Sequence, residues 1–183
     1  LRHAPGELTL PLTGGDAAPV ADARLMPPSG GESLQRYLTL LLFLILVLGG
    51  GLLIGYATLP GAWYASLAKP AFNPPNWIFG PAWTLLYVLI AVAGWRTWLR
   101  QPTGTAMKIW GIQLVLNFLW SPTFFGARMI GPALVVIMLL LASIVLFIAR
   151  VWNRDRLSGW LFAPYAAWVA FATLLNASLL WLN

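Results

Sequence analysis

A chain of 183 residues with 9% charged and 60% hydrophobic side chains and a mean hydropathy of +0.77 is not a water-soluble domain, which carries about a quarter charged residues. Its formal net charge of +6 and pI near 10.3 come largely from bases flanking apolar runs, so they read as membrane anchoring rather than nucleic-acid binding. With no cysteine, disulfide and thiolate chemistry are excluded.

In chain order, residues 1–35 are a separate material: Pro5, Pro11, Pro19, Pro27 and Pro28 are mixed with Arg2, Arg24, Glu7, Asp16, Asp22 and Glu32, without hydrophobic periodicity. This composition predicts a disordered tail. It has neither the basic start and short apolar stretch of a cleavable signal nor the acid-poor make-up of a transit peptide. Beyond it, the lysines, arginines and acids delimit five uncharged windows, 37–68, 70–95, 109–127, 129–149 and 157–183. Each is long enough for the roughly 20 residues that cross about 30 Å of hydrocarbon. Thr58-Leu59-Pro60-Gly61 stops the first, and Leu59 to Gly80, with Pro60, Pro70, Pro74 and Pro75, reads as a long loop. Helices are predicted near 36–57, 81–100, 105–124, 130–150 and 158–181, forming one domain over 36–183: an all-α, five-transmembrane-helix bundle.

The tail and the second and fourth connections carry Arg36, Arg96, Arg100, Lys108, Arg150, Arg154 and Arg156, whereas the opposite side has only Lys69 and Arg128. This imbalance places the N-terminus inside and the C-terminus, with the first loop, outside.

The spans contain no Asp, Glu, His or Cys, and the single histidine, His3, is in the tail. No metal site is expected, a proton-coupled transporter lacks its coupling group, and Ser66, Ser121, Ser143, Ser158 and Ser178 lack a base for nucleophilic chemistry. For Ser121, just before Pro122, local backbone bonding is the simpler reading.

What the chain has in excess is aromatic surface: 11 Trp, 9 Phe and 5 Tyr. Trp95, Trp98, Trp110, Trp152, Trp160 and Trp181 lie near predicted span ends and are assigned to the interfacial belt. Trp83, Trp120 and Trp168 sit on stripes with polar or small neighbours. Helix 2 aligns Trp83, Tyr87, Ile90/Ala91 and Gly94; helix 3 aligns Gln113, Asn117, Trp120/Ser121 and Phe124; helix 5 aligns Leu161, Tyr165, Trp168, Ala172 and Leu175/Asn176, with Pro164 expected to kink its start. An amide facing lipid would be unsatisfied, so Gln113 and Asn117 face inward, either bridging helices or meeting a ligand. The three stripes converge under the outer loop, which supplies Trp63, Tyr64, Phe72, Asn73, Asn76 and Trp77. A pocket walled by indoles, with a few amides and a proline-stiffened roof, suits a flat and largely apolar ligand. Lys69 or Arg128 at its mouth would meet a ligand carboxylate. Gly51 and Gly55 form a small-xxx-small pair and Gly111 adds a small residue on helix 3, for packing against a second copy or within the monomer.

Three sequence blocks resemble a known family. Trp63-Tyr64-Ala65-Ser66-Leu67-Ala68-Lys69-Pro70, with Phe72-Asn73-Pro74-Pro75-Asn76-Trp77 and Phe79-Gly80-Pro81-Ala82-Trp83-Thr84, is similar to the first-loop signature of the TspO/MBR family of tryptophan-rich sensory and translocator proteins. Gln113 to Gly126 resembles its third-helix motif. Pro164-Tyr165-Ala166-Ala167-Trp168, followed by Phe171-Ala172-Thr173 and Leu175-Asn176, resembles the fifth. The resemblance covers roughly Leu38 to Asn183. It implies a membrane protein, commonly homodimeric and here assigned to a bacterial cell membrane. Its implied ligands are porphyrins such as protoporphyrin IX, and in some members sterol-like or benzodiazepine-type molecules, held beneath the first loop with no obligatory cofactor. Ligand contacts carry over to Tyr64, Trp83, Asn117, Trp120 and Trp168, and Tyr87 joins them from the helix 2 stripe. The leading reading is a sensor or regulator of porphyrin metabolism, with transport of hydrophobic ligands beside it. The alternative is a light-dependent, photo-oxidative porphyrin-degrading enzyme with Trp83 and Trp168 as candidate catalytic residues. No base follows Arg156, so the sterol consensus of the family's animal members is incomplete here.

Overall fold

The computed structural model describes residues 30–183; of the tail expected to be disordered, residues 1–29 lie outside the described residues and residues 30–35 are helical. The helices are α1 (Gly30–Leu44), a π-helical turn (Ile45–Gly49), α2 (Gly50–Ala57), α3 (Ala62–Ser66), a 3-10 turn (Asn76–Ile78) and α4 (Phe79–Arg100). There follow α5 (Thr105–Ser121), a second π-helical turn (Pro122–Gly126), α6 (Ile130–Val151) and α7 (Arg156–Leu182). Among the described residues there is no strand.

The expected boundaries hold to within a few residues, except that α1 starts at Gly30 rather than near residue 36. Ser33-Leu34-Gln35 contains no helix breaker, Glu32 sits in the first turn where the helix dipole favours an acid, and Thr39 Oγ1 donates to the Gln35 carbonyl at 2.8 Å. The long first loop is partly ordered into α3 and the 3-10 turn. α7 passes through Pro164 without interruption.

Four stretches, Gly31–Ala57, Asn76–Arg100, Ile130–Val151 and Arg156–Leu182, have the length and apolarity of a membrane span. α5 has 17 residues, about 25 Å of rise, and its π-helical turn continues it to Gly126. α7 packs along α4 and α6, α5 along α6, and α1 along α4. The core between them is Ile90, Ala91, Ile137, Leu140, Ile144, Phe147, Phe162, Tyr165 and Val169, all within 1% of complete burial. The outside is equally apolar: Leu42, Leu53 and Val115 are each about two-thirds exposed (65, 68 and 66%). In water such a surface would be a large liability; in lipid it is the solvated face.

Two close approaches set the helix spacing. A Cβ on Gly94 would come within 2.3 Å of the Trp110 indole, so glycine is what lets that ring lie against α4. Trp110 is consequently 3% exposed and its Nε1 donates to the Ile90 carbonyl at 3.0 Å. It is a core residue, not the belt residue its position near a span end implied. Trp98, Trp152, Trp160 and Trp181 are exposed, and Trp95 donates to the Arg36 carbonyl at 3.2 Å. At Gly51, a Cβ would fall 2.3 Å from the Tyr87 ring. Gly51 is therefore committed to packing within the monomer, whereas Gly55 and Gly111 have nothing within 4 Å of such a Cβ.

Candidate ligand cavity beneath the first loop

An apolar cavity of about 600 Å³ lies beneath the first loop. That volume lies inside the roughly 300–1,000 Å³ of small-molecule sites. It sits where α2, α5 and α7 end and α4 begins. Its walls are Gly51, Ile54 and Gly55 of α2, Phe79, Trp83 and Tyr87 at the start of α4, Asn117, Trp120 and Ser121 at the end of α5, and Ala172, Leu175, Asn176 and Leu179 of α7. Tyr64, Asn76 and Trp77 roof it from the loop. None of these residues is charged.

The aromatic walls are braced from behind. Tyr87 stacks on Trp83, ring centroids 5.4 Å apart and 29° between planes, with Gly51 against the Tyr87 ring. Tyr165 meets Trp83 edge-on at 6.3 Å. On the opposite wall Trp120 stacks on Phe124 at 5.5 Å, and Phe125 meets both edge-on. Phe124 and Phe125 occupy the π-helical turn after Ser121, a local distortion that recurs at functional sites. Phe125 and the turn have no period-3.6 signature, so neither was legible as wall material; Phe124 was.

The polar groups form two relays. Asn117 Nδ2 donates to the Tyr165 hydroxyl at 2.8 Å, and that hydroxyl donates to Gln113 Oε1 at 3.0 Å. The amide pair thus bridges α5 and α7, as one of the two readings of that face required. It does not use Asn117 completely: Asn117 Oδ1 is buried without a protein partner, on a residue of the cavity wall. In the second relay, Trp120 Nε1 donates to Asn176 Oδ1 at 3.2 Å, and Asn176 Nδ2 donates to the Ile130 carbonyl at 3.0 Å. Thr58 and Ser121 hydroxyls lie 2.6 Å apart, so Ser121 has an interhelical side-chain partner in place of the local backbone bond expected for it.

The roof is fastened at both ends. Tyr64 is 4% exposed, and its hydroxyl donates to Asn73 Oδ1 at 3.1 Å. Asn183 accepts from the Ala68 amide at 2.9 Å and donates to the Ala68 carbonyl at 3.1 Å, tying the loop to the end of α7. Lys69 donates to the Ala65 and Leu67 carbonyls at 3.0 and 3.1 Å and stands 4.9 Å from the centre of the Tyr64 ring. It caps α3 and is not a cavity wall residue. Burial raises the Tyr64 phenol above its ordinary value, so it remains a neutral donor at physiological pH.

Of the six residues singled out as site residues, Tyr64, Trp83, Tyr87, Asn117 and Trp120 line the cavity together. Trp168 is not among its walls. Phe79 is, and it stands edge-on to Trp168 at 5.9 Å, with Phe171 on another side at 5.9 Å. The α7 residues that reach the cavity, from Ala172 to Leu179, lie nearer the loop. The helical stripe was correct in phase, but depth along α7 and the intervening Phe79 remove Trp168 from the wall.

The sequence profile of the TspO/MBR family matches residues 42–182, most of the chain. The protein belongs to the TspO/MBR family. It is 39% identical over 133 residues to Protein CrtK of Rhodobacter capsulatus, covering 68% of this chain and 80% of that one. To the tryptophan-rich sensory protein of Cereibacter sphaeroides it is 38% identical over 124 residues, 68% and 78% of the two chains. To the human translocator protein it is 35% identical over 119 residues, 62% and 70% of the two chains. Family membership and the apolar helices together make this TspO/MBR protein a multi-pass integral membrane protein.

Proposed function

We propose that this protein binds a tetrapyrrole of the protoporphyrin IX type in the cavity beneath its first loop and acts as a sensor or regulator of porphyrin metabolism. The observation that carries the reading is the pairing of stacked aromatic walls with one unused acceptor. The walls offer π-faces to a flat apolar ring. Asn117 Oδ1, a buried acceptor without a protein partner, costs about 1–3 kcal/mol while unpaired, and a donor on the ligand's polar edge, such as a protonated carboxyl or a water bridging to it, would satisfy it. Its relatives' names, tryptophan-rich sensory protein and translocator protein, agree with a ligand-responsive membrane protein. Sterol-like and benzodiazepine-type molecules, also flat or compact and apolar, are further candidates for the same space.

The reading places the chain in a bacterial cell membrane, N-terminus inside and C-terminus outside, so that the cavity opens toward the outer face. It includes a homodimer. With Gly51 packed inward and Gly55 on the cavity wall, Gly111 is the small residue left for a close helix contact.

The test is titration of purified protein with protoporphyrin IX in darkness, following quenching of tryptophan emission, then porphyrin absorbance under illumination with and without protein. Saturable quenching with a stable porphyrin band supports a binding protein. Protein-dependent loss of the band in light would favour the photo-oxidative reading. Absence of saturable quenching would refute both.

A further inference from the structure

The opposite end of the bundle has a second, smaller concavity of about 190 Å³ between the α4–α5 and α6–α7 connections. Thr97, Arg100, Gln101, Arg150, Arg154 and Asp155 shape it. Asp155 is the only acid from residue 33 to residue 183, and its carboxylate is fully engaged. Arg96 Nη2 donates to it at 2.8 Å, Arg100 Nη1 at 2.6 Å and Ser158 Oγ at 2.6 Å. Arg96 and Arg100 together already exceed its charge. Arg154 is turned toward Gln101, donating to Oε1 at 3.0 Å, and Arg150, one helical turn earlier, makes no ion pair among the described residues. The cleft thus holds Arg96 and Arg100 on one neutralised carboxylate with Arg150 and Arg154 beside them, a clear excess of positive charge.

Its position gives that charge a partner. Trp152 and Trp160, their rings 5.8 Å apart, are exposed beside the α6–α7 connection, and Trp98 is exposed near the end of α4. Indoles at such positions mark the headgroup level of a bilayer. The exposed Val145 and Leu146 one to two turns away on α6 belong to the lipid-facing exterior. A ligand here would meet cations with its head and apolar surface with its tail.

We propose that this cleft is a binding site for the phosphate of an anionic phospholipid headgroup, held by Arg150 and Arg154 with Arg100 behind them. Guanidinium forks match phosphate oxygens in geometry as well as charge. Basic recesses between helices at the headgroup level are suited to this class of lipid. The site is independent of the porphyrin cavity.

The experiment counts lipid adducts by native mass spectrometry of the full chain in neutral detergent, titrated with dioleoyl-phosphatidylglycerol or dioleoyl-phosphatidylcholine. The first phosphatidylglycerol should bind at least about 25-fold more tightly than phosphatidylcholine, at about fivefold for each of two arginines. In the Arg150→Gln/Arg154→Gln variant the preference should fall by roughly 25-fold, at about fivefold per cation, with phosphatidylcholine unchanged. Arg150→Lys/Arg154→Lys should restore most of it, which a merely misfolded protein would not do, and Arg128→Gln at the other end should leave it intact. Equal affinity for the two lipids, or a preference that survives loss of both arginines, overturns the proposal. Inorganic phosphate that displaces phosphatidylglycerol at equal concentration would also overturn it, because the site would then take free anion and not lipid.

Discussion

Gly51→Ala is the sharpest perturbation the fold offers. The added Cβ would sit 2.3 Å from two atoms of the Tyr87 ring and 2.8 Å from a third, so the ring or the helix must move. Overpacking of this kind costs about 1–3 kcal/mol, while replacing glycine by alanine within a helix returns about 0.5–1 kcal/mol. The net expectation is a loss of roughly 0–2.5 kcal/mol. Because Tyr87 stacks on Trp83 across the cavity wall, the shift should also weaken ligand binding. The comparison that isolates the mechanism is a double-mutant cycle with Tyr87→Ala. Without the ring, Gly51→Ala should become neutral or stabilising, giving a coupling of about 1–3 kcal/mol. Thermal midpoints and cross-linked dimer fraction, measured on the four proteins in one detergent, provide the readout. Gly55→Ala, with open space before its Cβ, should not destabilise the monomer. Strict additivity of Gly51→Ala and Tyr87→Ala, or a loss of dimer with no loss of monomer stability, would refute the packing argument and return Gly51 to an interface between protomers.

Three further outcomes are expected. Asp155→Asn should cost about 1–3 kcal/mol at neutral pH through weakened charge-assisted hydrogen bonds. Burial alone would raise the Asp155 carboxyl, but hydrogen bonds from Arg96, Ser158 and Arg100 and the Arg96 charge outweigh it and hold the group well below the carboxylate range. Its stabilisation is therefore complete above the unfolded value of about 3.9 and disappears as pH falls through the lower folded value, so melting curves between pH 7 and 5 should show no change from this residue. Asn117→Leu should lower the melting midpoint, because Tyr165 loses its donor, and should weaken porphyrin binding less than loss of a wall indole does. Iron-free protoporphyrin should bind at least as well as haem, since the spans contain no His or Cys to ligate iron; a Soret band diagnostic of His or thiolate ligation would contradict this.

Much of the architecture was legible because charge is so scarce: the bases delimit the helices, and the prolines from Pro60 to Pro75 delimit the loop. The inward face of α5 was legible for the same reason, since Gln113 and Asn117 cannot face lipid. What single-chain periodicity lacked was depth and neighbours. Trp110 and Trp152 both lie near span ends and both face a glycine, but a Cβ on Gly94 would come 2.3 Å from the Trp110 ring and one on Gly159 only 3.1 Å from Trp152, so Trp110 is drawn into the core at 3% exposure while Trp152 stays 38% exposed. Gly51 matched a pattern shared by interior and intermolecular contacts, and only the position of Tyr87 decides between them. Trp168 has a phase compatible with the cavity, but Phe79 occupies the intervening place. Phe125 enters the wall through a π-helical turn that a 3.6-residue period does not describe.

The cavity assignment is tested most directly by the protoporphyrin dissociation constants of Trp83→Ala, Trp168→Ala and Trp152→Ala beside the parent, each variant first shown to keep its thermal midpoint. Trp83 walls the cavity, so its removal should cost about 1–3 kcal/mol, roughly five- to a hundred-fold in affinity. Trp168→Ala should cost less, acting only through Phe79, and the exposed Trp152 should cost nothing. A folded Trp83→Ala protein that binds protoporphyrin as tightly as the parent would contradict the account and leave the stacked aromatics as packing alone.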